Sequence, residues 1–443
     1  AQAGKKPNIL VIVVDAWRPD HLGLYGYNKP STPFLDEWAK DSFVFLNMTT
    51  NAPWTRPATA TLLTGLWPSS HRTQSDRSQL PLDVTTVAQL LRKQGYRTAA
   101  VVGNGNAGRV GKLDRGFDDY TDTVNAWKGL PDAGQVYSKA LSWLKNKAPS
   151  DKPWFLFVFL VDPHDPYHAP PAYEKRWLKG IKGEPRRRAH WEYKNSYPEE
   201  ERRSMRALYD ASIRYTDDQT RLFFAQLKKL GLGSNRATVI TADHGEAFGE
   251  HGFYLHAYHH LDEFLRIPLL IRSPHWKGSG HVFHATQMAD IAPTLLGWAG
   301  APIPKSWPGR DLTQVLAQPV NRQRITLSEY NQFGIRRSAI FDLDTKVILQ
   351  LPADKEAFLK RIPRTELLPS VNFKEEVVQV YDRQKDPLEM NNLFSKGMSP
   401  RAKLLLDRLR EYMIAAPKVN KEVKKEDVPE QVLEDLRSLG YVQ

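Results

Sequence analysis

The chain has 443 residues, of which 41% are hydrophobic, enough for a large core and a second, smaller domain. Its formal charge of +12 favours anionic partners, and the absence of cysteine excludes disulfides, thiolate nucleophiles and Cys-ligated metals. The strongly apolar runs are far shorter than the roughly 18 residues a membrane helix needs, so no span is expected. The Lys/Arg excess is concentrated from Glu174 to Lys194 and again from Lys418. No zinc finger, aromatic RNA-binding signature or Gly-rich phosphate loop accompanies it, so nucleic acid is not the expected partner. The amino-terminal AQAGKKPN carries no initiator Met. That start suits an exported, processed chain or a trimmed one, and a periplasmic or secreted location is the expectation.

In chain order, the apolar run NILVIVV from Asn8 predicts a strand that ends on Asp15, and TPFLDEWAKD from Thr32 predicts a helix. Thr55 opens TRPATATLLTG, a turn running into a helix whose first N–H groups can hold an oxyanion. A helix at TVAQLLRKQG from Thr86 and a strand at TAAVVG from Thr98 follow, then a helix around Val136 and the strand PWFLFVFLVD from Pro153. The stretch from Glu174 to Glu201, rich in charge and aromatics, predicts a long loop or short helices over the crevice, a surface insertion with Trp177 and Trp191 packed on the body or, alternatively, a lining for the mouth of the site that selects an anionic substrate. Beyond it come a helix from Tyr215, the strand ATVITA ending on Asp243 and His244, and the strand IPLLIRSP from Ile267.

Val/Ile/Leu strands alternating with helices predict an α/β fold, a doubly wound and mostly parallel sheet. After about residue 319 the texture changes to RITLSEYN, KVILQLPA and a helix at Lys403–Met413. The expected division is therefore 1–319, a catalytic α/β domain, and 320–443, a small antiparallel sheet with a terminal helix. Groups at the carboxyl ends of parallel strands converge on a common crevice, so Asp15 and the Asp243–His244 pair are expected to meet, with Thr55 beside them.

These motifs resemble the sulfatase branch of the alkaline phosphatase superfamily nearly end to end. The similarity runs through VVDAWRPDHLGLYGY from Val13, NAPWTRPATATLLTGLWPSSHRT from Asn51, VDPHDPYHAP from Val161, TADHGEAFGEHGFYLH from Thr241, YDRQKDPLEMNNLF from Tyr381 and the terminal LRSLGYV. The resemblance implies one divalent metal held by Asp15, Asp243 and His244 with Thr55 alongside as nucleophile. It also implies His164 and His256 as groups that assist the leaving oxygen, and a structural role for Asp386, Pro387, Asn391 and Asn392. Independently, a cation beside a Thr hydroxyl lowers its proton affinity and screens an anionic ester. Read singly, Asp15 and Thr55 also suit helix caps, and Asp243–His244 a mere strand end.

The chain departs from the pattern in three places. Thr55 stands where sulfatases of the best-known type carry a Cys or Ser that matures to formylglycine, and Thr59 replaces the motif's Arg, although Arg56 lies nearby. Ala16 replaces the second residue of an Asp-Asp pair. GNGNAG from Gly103 replaces GKWHLG, leaving Asn104 and Asn106 as neutral donors to the ester, with a plain Gly/Asn turn as the alternative. Thr55 resembles the nucleophile of the phosphodiesterases and the phosphoethanolamine and phosphoglycerol transferases of the superfamily.

The expectation is a metal-dependent hydrolase, or group transferase, acting on phosphate or phosphonate esters, lipid- or glycan-linked. Zinc or manganese is preferred over calcium or magnesium, because one ligand is nitrogen. A sulfuric ester hydrolase without formylglycine is the alternative, and a non-catalytic binder of anionic glycan or lipid is the alternative of another class. His251, His259 and His260 lie in the same segment as His256, and their spacing does not decide whether a second metal binds beside the one expected.

Overall fold

In the computed structural model of the chain, residues 6–123, 130–187, 197–257, 259–356 and 372–416 are described. The basic stretch from Lys418, the LRSLGYV motif and Trp191 lie outside them. The first apolar run forms strand β1 (Asn8–Val14), followed in chain order by β2 (Phe43–Thr49), β3 (Arg97–Val102), β4 (Asp119–Asp122), β5 (Trp154–Leu160) and β6 (Arg236–Ala242). A two-residue hairpin, β7 (Ala247–Phe248) with β8 (Tyr254–Leu255), precedes β9 (Leu269–Arg272) and β10 (Gly280–Gln287).

Apart from the hairpin, these strands form one eight-stranded sheet in the order β10-β2-β9-β6-β1-β5-β3-β4. Only β9 runs antiparallel to its neighbours. The reason the central strands are continuous Val/Ile/Leu/Phe is visible in their burial: β5 is buried at all seven positions and β1 at six. Helices cover both faces, which is the condition for a parallel sheet to be stable.

The helix expected from Tyr215 begins at Glu199 and runs 31 residues to Lys229. Its first turns, EEERRSMR, are charged and carry no apolar periodicity, which hid them from a pattern reading. Three glutamates in the first turn favour that end through the helix dipole. The same stretch holds a short helix, Pro171–Trp177, so the region expected as loop or short helices is partly helical.

A second sheet is antiparallel throughout, β11 (Thr326–Gln332), β12 (Ile335–Phe341), β13 (Thr345–Gln350) and β14 (Val377–Asp382) in that order. The helix Pro400–Ala415 covers one face with Leu405, Leu406, Leu409 and Met413, at the spacing of one helical stripe. In the turn after β14, Asp386 accepts from the amides of Met390 and Asn391, and Asn392 accepts from Val380 N.

Candidate metal and nucleophile site

Register explains why residues far apart in sequence meet. Val14 pairs with Leu160 of β5 and Ala242 of β6, so Asp15 and Asp243 leave adjacent strands at one level, and Val161–His164 leaves the strand on the other side. Asn104 follows β3, the next strand out. Four neighbouring carboxyl ends therefore feed one crevice, as the switch-point rule requires.

Asp15, Asp243 and His244 each offer a ligand atom within 4.8 Å of the others, and among the described residues they form the one such grouping. His244 Nε2 lies 3.5 Å from Asp15 Oδ1 and 3.3 Å from Asp243 Oδ2. The other atom of each group is fixed elsewhere. His244 Nδ1–H donates to Gly245 O at 2.9 Å, Asn104 Nδ2 donates to Asp15 Oδ2 at 2.6 Å, and the amides of Ala16 and His244 donate to Asp243 Oδ1 at 3.1 and 2.8 Å. That leaves Asp15 Oδ1 and Asp243 Oδ2 buried without a hydrogen-bond donor, facing an unprotonated imidazole nitrogen. Two orphaned carboxylate oxygens and one lone pair converging in a dry site are what a divalent cation satisfies, and the donor set fits one.

Electrostatics give the same picture. Burial first, eased only partly by Asn104, holds the Asp15 carboxyl well above its usual range. Burial and then the Asp15 charge push Asp243 up to about 7, and burial drives His244 down to about 3. With no cation, the cheapest state has protons on the carboxyls and a neutral imidazole. A cation replaces those protons.

The Asp15–Ala16 turn carries strain. Ala16 has φ of 52°, in the left-handed region, where a residue with a Cβ is disfavoured. Tyr209, from the long helix, holds it there by donating to Ala16 O at 2.6 Å and accepting from Arg18 N at 2.9 Å.

Thr55 is the first residue of the helix Thr55–Thr64, fully buried, with Oγ1 3.3 Å from His244 Nε2. Of the other hydroxyls in that helix, Thr61 meets His71 Nε2 at 3.1 Å. Arg56 differs from expectation. Its Nη atoms serve the carbonyls of Ser75, Asp76 and Ser78 and, at 2.7 Å, Asn106 Oδ1. A guanidinium buried among carbonyls is a clamp on that loop rather than a group free to bind an ester. Asn104 likewise holds Asp15, while its Oδ1 accepts from Asn106 N at 2.8 Å, the capped turn that was the alternative reading. Asn106 Nδ2 is buried and has no hydrogen-bond partner among the described residues, so it is the amide with a donor to spare.

His256 lies against the His244 ring at a centroid distance of 4.3 Å, and His164 lies against His256 at 4.9 Å. Sequence reasoning missed the carboxylates behind them. Glu246 Oε1 stands 3.2 Å from His256 Nδ1, and Asp165 Oδ1 stands 3.4 Å from His164 Nδ1, whose N–H donates to the Asp165 backbone carbonyl at 2.6 Å. Both acids sit inside the quoted motifs, so the signal was present. His251, His259 and His260 do not join the grouping. His251 binds Glu263 at 2.7 Å, and His259 stacks on Phe253 and meets Arg337 of β12, so these face the second sheet.

A metal-ready carboxylate pair, an imidazole and a hydroxyl at the strand ends of an alkaline phosphatase-like α/β fold define an ester hydrolase. The chain belongs to the sulfatase family, whose model matches residues 7–301. It is 30% identical over 345 residues to an ulvan-active sulfatase of Formosa agariphila, covering 71% of this chain and 66% of that one. Arylsulfatase K of Canis lupus familiaris is 26% identical over 94% of this chain and 84% of its own length. A phosphonate monoester hydrolase of Agrobacterium radiobacter shares the fold with a TM-score of 0.71 at 19% identity, over 92% of this chain and 95% of that one.

Proposed function

We propose that this chain is a metal-dependent hydrolase of phosphate or phosphonate esters in which the Thr55 hydroxyl is the nucleophile. The observation that carries the reading is Thr55 Oγ1 at 3.3 Å from His244 Nε2, beside the orphaned oxygens of Asp15 and Asp243. A divalent cation held by Asp15, Asp243 and His244 supplies the polarisation of the ester and the lowered proton affinity of the hydroxyl. Zinc or manganese suits two carboxylates and one imidazole better than calcium or magnesium.

Thr55 Oγ1 attacks phosphorus, the P–Oγ1 bond forms, and the bond to the leaving oxygen breaks. The Thr55 proton passes by way of the imidazoles of His256, buried and unprotonated, and the adjacent His164 to that oxygen, and when water later attacks phosphorus and releases the group, a proton returns from the water to Thr55 by the same pair. His164, with Nδ1–H on the Asp165 carbonyl, keeps Nε2 as the proton acceptor. Asn106 Nδ2 donates to the ester oxygens, and Arg56 and Asn104 position it. A second alcohol in place of water makes the same chemistry a transfer.

Phosphate ester hydrolysis asks for on the order of 20 kcal/mol of barrier lowering, more than a hydroxyl and two imidazoles supply, so this reading stands on the metal. A sulfate ester is the second reading, favoured by what the relatives are named for. Thr55 opposes it, since a threonine cannot give the aldehyde hydrate that the family's Cys or Ser provides. Rapid quenching of metal-loaded protein with an aryl phosphonate tests the proposal. A burst of the phenol with a matching mass increment on the Thr55 peptide is expected. Full turnover with neither burst nor adduct, retained in Thr55→Ala, contradicts it.

A further inference from the structure

Away from the strand ends, a cleft of about 540 Å³ opens between the Pro171–Trp177 helix, the start of the long Glu199–Lys229 helix and the Lys29–Pro30 segment. Its walls carry Lys29, Arg176, Lys179, Arg203 and Arg206 against a single carboxylate, Glu199, and Trp177 lines it as well. The charges are not all alike. Lys29 pairs with Asp210, Arg203 with Glu200 and Arg206 with Glu199. Arg176 and Lys179 are exposed and have no ion-pair partner among the described residues, so two uncompensated cations line the cleft together with the ring. Lys29 Nζ lies 5.7 Å from the Trp177 ring, which fixes the indole as part of a charged wall.

We propose that this cleft binds a sulfated or phosphorylated saccharide at a place separate from the ester that is cleaved. The indole offers a flat apolar surface for a sugar ring, and Arg176 and Lys179 offer hydrogen-bonding charge in the same cleft for its anionic substituents. The concavity favours this occupant over a lipid surface, because a cleft holds a ring of saccharide size while a bilayer needs residues that protrude into it. The cleft's lining holds none of Asp15, Thr55, Asp243 and His244, and the long helix links the two places: Ala207 lines the cleft, and Tyr209 two residues on holds the Asp15–Ala16 turn. Binding here therefore adds retention of a charged chain without altering the reacting groups, and it does not depend on whether phosphorus or sulfur is attacked.

The test is titration calorimetry of the full chain carrying Thr55→Ala, which prevents consumption of ligand. The probes are size-defined dextran sulfate oligosaccharides, inorganic sulfate, inorganic phosphate and phosphatidylserine vesicles. Saturable binding of the oligosaccharide is expected, weakening as salt rises. Adding Arg176→Ala and Lys179→Ala is expected to weaken it about tenfold or more, and Trp177→Ala by a further, salt-insensitive factor. A thermal melt like that of the parent confirms that the variants fold. On an otherwise wild-type background, turnover of a small aryl ester should be the same with and without the two cations. Oligosaccharide binding unchanged by removal of both cations overturns the proposal. So does equal binding of the free anions, and so does a preference for the vesicles.

Discussion

Among the hydroxyls at the start of its helix, Thr55 is the one that reaches His244, and Thr61 is committed to His71. Thr55→Ala is therefore expected to lower kcat by about a thousandfold or more with metal still bound, and Thr55→Ser to retain a measurable fraction. Quantified turnover beside elemental analysis checks this, and an active alanine variant points to a metal-activated water instead. The metal site also predicts a pH signature. Asp243, with a folded pKa of about 7, holds more protons folded than unfolded above about pH 4, so this group loses stability for the metal-free protein as pH rises through that window. The Asp15 shift has the same sign. His244 and His256, at about 3 when folded, contribute the opposite trend only up to about pH 6.5, their unfolded value. The two trends oppose at lower pH, and above 6.5 the carboxyl loss stands alone. Melting with and without metal should therefore show a gap that widens from pH 6.5 to 8, and parallel curves count against it. Asp15, Asp243, His244 and Thr55 were legible because each ends or begins a patterned run. The clamp role of Arg56 was not, since nothing local announces carbonyls brought in from residues 75–78.

At the level of elements, the order β6-β1-β5-β3 turns four separate motifs into one site. Continuous apolar runs disclosed the strands and their parallel character, while the order itself depends on helices packing across the sheet. The long Glu199–Lys229 helix shows the boundary of such reading. Its apolar half was evident from Tyr215, but the half that supplies Tyr209 begins in charged turns. Tyr209 props a left-handed Ala16 from 193 residues away, a contact with no local signature. Tyr209→Phe leaves the Ala16 carbonyl and Arg18 amide without their partner. A loss of about 1–3 kcal/mol in urea unfolding is expected, with a fall in metal affinity because Asp15 adjoins the turn. Unchanged stability and affinity speak against a propping role.

For the whole molecule, the second sheet is joined to the first by buried charge. Lys346 of β13, fully buried, pairs with Asp262 at 2.5 Å and Glu389 at 2.7 Å and donates to His260 O. Lys346→Met takes the ion-pair partner from buried Glu389 and leaves Asp262 with Arg383 alone, so a loss of about 3–5 kcal/mol is expected in denaturant melts, and a stability within 1 kcal/mol of the parent is inconsistent with it. The antiparallel texture of this part was legible, but a lysine in a strand reads as surface, so its role as a tether was not. The same physical logic, chemistry placed by distant backbone, underlies the central claim that a sulfatase-family chain here attacks phosphorus with a threonine. Side-by-side kcat/KM for one aryl leaving group presented as phosphate monoester, phosphate diester, phosphonate and sulfate to the metal-loaded protein tests it most directly. The phosphorus esters, the singly charged diester and phosphonate foremost, are predicted to be cleaved faster, with all activity lost on metal removal. A clear preference for the sulfate contradicts the account.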